Sequence, residues 1–136
     1  MINSYTLAEQ VVAVGGKLVF NTNRILTGCT VKHTDGSPTF TLTKPGYYYV
    51  SFNTDTTSTA TGVVTLQLLN GTEEVPGATA STTIITAGNI RPLSFSTIIR
   101  VLPSCCAIDN TTNLSIVVDG IEATITNANI NITKLC

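Results

Sequence analysis

The chain has 136 residues, 43% of them hydrophobic and only 11% charged, with a net charge of −1 at neutral pH. That length fits one domain, residues 1–136, and a domain near this size buries roughly 68–70% of its unfolded surface, enough for a core without disulfide or metal staples. Lys17, Arg24, Lys32, Lys44, Arg91, Arg100 and Lys134 stand as single scattered cations, so no nucleic-acid partner is expected, and no apolar run reaches the ~18 residues of a membrane span.

The first ten residues lack a positively charged start, and Glu9 and Gln10 precede the apolar Val11–Val14 run, so no signal peptide is expected. If Met1 is the natural start, the product is made in a cytoplasm and leaves by another route than secretion. Nowhere do apolar residues recur at three- and four-residue spacing over a dozen positions, which argues against helices. Thr, Val, Ile and Tyr dominate instead, in short alternating runs: 10–14, 17–20, 28–33, 39–43, 47–54, 63–70, 82–86, 92–102, 113–119 and 123–135. About ten strands is the number of an all-β sandwich or barrel.

The most informative run is Phe40 to Phe52: a strand, a Lys44-Pro45-Gly46 turn and a second strand that is apolar on both faces. Side chains alternate across a sheet, so Tyr48, Val50 and Phe52 share one face and Tyr47, Tyr49 and Ser51 the other. An antiparallel sheet usually gives one face to water. A second face with two tyrosines therefore predicts a partner, another copy of the same chain.

Further along, Thr54 to Gly62 holds no large apolar residue and reads as an exposed loop crossing between sheets. Asn70-Gly71 and Asp119-Gly120 supply the positive φ of tight hairpins, predicting that 63–69 pairs with the run after it and 114–118 with 123–132. Glu73 to Ser81 reads as a second loop. The expected core takes Phe40, Leu42, Tyr48, Val50, Phe52, Val64, Leu66, Leu68, Leu93, Phe95, Ile99, Val101, Leu114, Ile116, Val118, Ala128, Ile130 and Ile132, enough to fill the space between two sheets about 10 Å apart. The opposite face of the last strand carries Asn127, Asn129 and Asn131, either solvated or hydrogen-bonded across a subunit interface.

Catalytic patterns are missing. His33 is the only histidine and stands in a strand end beside Asp35-Gly36, with no nucleophile, base and orienter assembled around it, and a solvated side chain is expected. Glu73 and Glu74 are adjacent, hence point apart on a strand. Asp35, Asp55 and Asp109 form no calcium-loop run, although a loop calcium stays open. Cys29, Cys105, Cys106 and Cys136 lack metal-ligand spacing; a cytoplasmic origin favours free thiols, while two bridges from the adjacent pair to the other two remain conceivable. Catalytic residues, cofactors and metals are thus all expected to be absent. Asn-x-Ser/Thr patterns at Asn70, Asn110, Asn113 and Asn131 are what chance gives in so Thr- and Asn-rich a chain.

Val19-Phe20-Asn21-Thr22-Asn23, the Phe40 to Phe52 segment, Val64 to Gly71 and the closing Asn-Ala-Asn-Ile-Asn-Ile-Thr-Lys-Leu together resemble the C1q/TNF-like jelly roll, in order and over nearly the whole chain. The most specific piece is Phe-x-x-x-x-Pro-Gly-x-Tyr-x-x-x-Phe, on Phe40, Pro45, Gly46, Tyr48 and Phe52. The resemblance implies a two-sheet jelly-roll sandwich of about ten strands, trimeric, with Tyr48 and Phe52 in the core and Tyr47 and Tyr49 near a threefold axis. Ser51, Asn129 and Asn131 are placed beside them in the expected trimer interface. No collagen Gly-X-Y stalk precedes the domain, and the nearly uncharged Thr/Asn surface looks closer to bacterial and bacteriophage versions. The expected function is a non-enzymatic structural or adhesive protein on a bacteriophage virion, with a virion scaffold and surface glycans as partners besides itself. A spore-surface glycoprotein head, and a secreted lectin- or cytokine-like ligand, are the alternatives.

Overall fold

The computed structural model describes residues 1–101 and 112–135. The expectations for Cys105, Cys106, Cys136 and Asp109 fall outside the described residues. The rest is built from eleven strands: β1 (Ile2–Thr6), β2 (Gln10–Val12), β3 (Thr22–Leu26), β4 (Val31–Lys32), β5 (Phe40–Leu42), β6 (Gly46–Thr57), β7 (Gly62–Asn70), β8 (Glu73–Ile84), β9 (Arg91–Val101), β10 (Thr112–Gly120) and β11 (Ala123–Lys134). No helix occurs among the described residues, so none is long and apolar enough to cross a membrane.

All pairings are antiparallel, in two sheets. The first runs β3-β1-β11-β6-β9, with β2 also paired to β11; the second runs β4-β5-β10-β7-β8. Consecutive strands β6 and β7, β8 and β9, and β10 and β11 change sheets, which locks the layers together. Between them Phe40, Tyr48, Val50, Phe52, Leu66, Phe95 and Ile130 are buried in one continuous core cluster, with Ile2, Leu18, Phe20, Leu114 and Ile132. Each such apolar side chain contributes about 1.5–3 kcal/mol by leaving water. Aromatic rings knit the middle: Phe20 meets Phe40 at 5.2 Å and Phe52 at 6.3 Å, both edge-on, and Phe52 meets Phe95 at 5.2 Å. The Tyr48 hydroxyl donates to the Lys44 carbonyl at 2.6 Å, which lets a phenol sit in the core, and burial pushes its pKa upward.

Several local expectations are corrected. Asp119-Gly120 does not close a hairpin, because β10 belongs to the second sheet and β11 to the first, so the turn is a crossover between layers. Residues 54–57 are not loop but the end of β6. Thr54 and Thr56 are buried there, and Thr54 Oγ1 donates to the Thr126 carbonyl at 2.8 Å. The crossing to the second sheet is made by the short segment that follows, where the buried Ser58 hydroxyl holds the Glu122 carbonyl at 2.7 Å. Glu73 to Ser81 is strand, paired with β7 across the Asn70-Gly71 turn, where Gly71 has φ 65. Lys17 to Phe20 makes only a bridge from Lys17 to Val117; the Val19 backbone is held instead by the Gln10 amide, which both donates to its carbonyl and accepts from its N–H at 3.0 Å.

The crossover at Gly120 is demanding. Its φ is +89, and a Cβ there would stand 2.1 Å from the Val63 carbonyl oxygen. Gly120→Ala is expected to lose at least about 2 kcal/mol of stability in urea unfolding, since backbone strain alone contributes ~1–3 kcal/mol and the clash adds to it. A midpoint unchanged from the parent would show that this crossover relaxes freely.

Candidate assembly face

The first sheet's inner side is core, and its outer side is open. Because β6 pairs with β9 through Tyr47↔Arg100, Tyr49↔Ile98 and Ser51↔Ser96, and with β11 through Tyr49↔Thr133, Ser51↔Asn131 and Asn53↔Asn129, these residues form rows across one surface. Tyr47 and Tyr49 are 41% and 40% exposed and Ile98 is 57% exposed, so three large side chains stand together in water while Tyr48, Val50 and Phe52 on the other side of β6 are sealed. The Arg100 guanidinium lies 5.7 Å from the Tyr47 ring centroid, a cation–π distance, and the Leu135 N–H donates to the Tyr47 carbonyl at 2.7 Å, setting another exposed apolar residue beside it.

Next to this aromatic corner the face becomes an amide surface. Asn3 Nδ2 donates to Asn129 Oδ1 at 2.8 Å and to Asn131 Oδ1 at 2.5 Å, and Asn129 Nδ2 reaches Asn53 Oδ1 at 3.3 Å. Ser51, Asn129 and Asn131 are half-buried within it. The five residues expected at an interface therefore share one face, and the asparagines bond one another within the chain rather than waiting for a mate. Sequence reading missed Asn3 and the whole of β1, because a strand whose inner and outer positions are both occupied by Asn and Ser shows no apolar alternation. Ile98, from β9, was also missed; alternation with Ile99 and Val101 turns it outward, but its place beside Tyr49 follows only once the β6–β9 register is known.

His33, expected in solvent, is buried instead. Its ring stacks on Phe40 at 4.2 Å and 12°, Nε2 donates to the Ser37 carbonyl at 2.8 Å, and Nδ1 lies 2.6 Å from Asn23 Oδ1 and 3.3 Å from Ser4 Oγ. Donating at Nε2 and stacked on Phe40, with the Ser4 hydroxyl the one donor within reach of Nδ1, the imidazole is structural. Burial lowers its pKa below the usual 6.5, outweighing the Ser37 hydrogen bond and the Asp35 charge that raise it. The unfolded chain then takes up a proton before the folded one. Stability is complete above about pH 6.5 and falls as pH drops below it, at up to ~1.4 kcal/mol per unit until the folded ring itself titrates. Urea midpoints at pH 7.5 and 5.5 should differ in the parent and converge in His33→Phe; equal loss in both would assign the pH effect elsewhere.

Among the described residues no group of three or more His, Cys, Asp or Glu side chains is placed to hold a metal ion. The face carries no nucleophile paired with a base; what it offers is area, aromatic edges and amides.

No family model and no curated protein matches the sequence. Solved structures do. The globular domain of zebrafish complement 1qA protein superposes with a TM-score of 0.69 at 11% identity, covering 99% of this chain and 96% of that one. The Eiger TNF from S. frugiperda gives 0.72 at 10% identity, over 99% of this chain and 92% of that one, and murine APRIL gives 0.68 at 6%, over 98% of each. Identities this low speak for shape and not for activity. The chain has the C1q/TNF-like jelly-roll fold, with two antiparallel sheets, eleven strands and no helix among the described residues.

Proposed function

We propose that the chain is a non-enzymatic structural and adhesive module that assembles as a homotrimer through the outer face of its first sheet and is displayed on a bacteriophage virion, as a decoration, fibre head or host-contact element. The observation that carries this reading is the first half of β6, where Tyr47 and Tyr49 make the outer face aromatic while only the inner face, with Tyr48, Val50 and Phe52, is covered within the chain. Three copies related by a threefold axis shelter Tyr47, Tyr49 and Ile98 of each against the others, and a closed symmetric arrangement leaves no unsatisfied patch. The near absence of charge and the Thr- and Asn-rich surface suit a particle exterior, where weak contacts to glycans add up across identical sites. The engaged state of His33 supports the absence of catalysis.

Light scattering on the purified chain should give three times the 14.3 kDa chain mass. Antibody labelling of density-purified particles from a lysate should then find the chain on virions. A chain that stays wholly in the soluble fraction would remove the virion assignment.

A further inference from the structure

Two β-bulges interrupt the first sheet, one on each side of β1. In the β1–β3 pairing, Asn3 faces Ile25 and Ser4 faces Asn23, so Arg24 is the extra residue. In the β11–β6 pairing, Thr126 faces Asp55 and Asn129 faces Asn53, so three steps on β11 match two on β6, and Asn127 takes the left-handed conformation at φ 53. Bulges re-aim side chains. Here both open onto one cleft of about 410 Å³, lined by Arg24 and Asn127 together with Asn3, Tyr5, Leu7 and Asn129.

The chemistry of the lining is specific. Arg24 is an exposed guanidinium, whose planar fork matches a carboxylate. Tyr5 and the 67% exposed Leu7 present apolar surface. Asn3 is nearly buried and commits its amide to Asn129 and Asn131, so it is a fixed floor. By contrast the Asn127 and Asn129 amide nitrogens make only long bonds, 3.4 Å to Asp55 Oδ2 and 3.3 Å to Asn53 Oδ1, and are easily drawn to a better acceptor. One cation, an apolar wall and two recruitable amide donors within a volume of this size describe a small-ligand site. We infer that the cleft binds a carboxylate-bearing sugar, Arg24 taking the carboxylate, Tyr5 and Leu7 the ring's C–H face, and Asn127 and Asn129 the hydroxyls. This rests on the reading of the chain as a glycan-contacting module and names the glycan's class. The cleft lies on β3, β1 and β11 and takes in Asn129, so the trimer seam it is compatible with is confined to the aromatic corner on β6 and β9, at the other side of a sheet roughly 19 Å across.

The test is a titration followed by NMR shifts, with 3′-sialyllactose, a glucuronate disaccharide, lactose and acetate as probes and light scattering on the same samples. At least one acidic sugar should bind ten times or more tightly than lactose, with acetate weaker than either acidic sugar. Arg24→Ala should lose at least tenfold in that affinity, and Asn127→Gly, which keeps the bulge, a few-fold, both at unchanged assembly mass. Binding of neither acidic sugar, equal binding of lactose, or an Arg24→Ala variant that dissociates the assembly would each overturn the site. A trimer that ignores sugars removes this inference alone, and a monomer that binds them removes only the trimer.

Discussion

Tyr49→Asp is expected to turn the proposed trimer into single chains without unfolding them. In one chain the Tyr49 ring is 40% exposed and faces Ile98 and Thr133, so a carboxylate there is hydrated and costs the fold little. At a threefold seam the same carboxylate is buried beside two copies of itself. An uncompensated buried charge costs about 3–5 kcal/mol, and it recurs at each of three sites. Scattering should fall to the 14.3 kDa chain mass with the β-sheet circular dichroism retained, while Tyr49→Phe keeps the assembly. A Tyr49→Asp protein still three chains in mass would place the seam on another surface.

The second large effect lies inside. Phe52→Ala removes a ring at the middle of β6 that is wholly buried, opposite Ile130 on β11 and Phe95 on β9, and that touches Phe95 and Phe20. The neighbours come from strands already held in ladders, so the void cannot close by collapse. A loss of about 3–5 kcal/mol is expected, a large share of the ~5–15 kcal/mol that holds a domain together. Thermal unfolding should move down by about 10–20 °C. A fall under ~1 kcal/mol would mean that the aromatic chain from Phe40 to Phe95 is not what joins the two sheets.

Strong alternation was legible: the buried set of β6, β7, β9 and β10, the turn at Asn70-Gly71 and the two-sheet class all follow from period-two patterns. Polar burial was not. Ser4, Asn23 and His33 fold into one hydrogen-bonded cluster, and residues 54–58 carry hydroxyls into the core's end, so both stretches look like loop to any rule that equates inside with apolar. Pro76 and Gly77 likewise disguise β8, an edge strand on which a missing N–H is tolerated. The Asp119-Gly120 turn failed for a different reason. Local chemistry states that the chain reverses, but which layer receives it depends on partners distant in sequence. The residues expected at an interface do share one face, as strand alternation predicts, whereas the cleft depends on two register slips that no single-strand pattern reveals.

β11 is flanked by β1 on one side and β6 on the other, so the centre of the first sheet is contributed by residues 123–134. During synthesis the ribosome delivers β1 and β6 long before the strand that bridges them. Until then the β6–β9 pair that carries the tyrosine corner and the β1–β3 pair have no strand between them, and the amide rows of Asn3, Asn129 and Asn131 do not exist. The first sheet is therefore completed by the last strand to be made, and the proposed trimer would have its whole outer face available only in chains whose synthesis has passed residue 134.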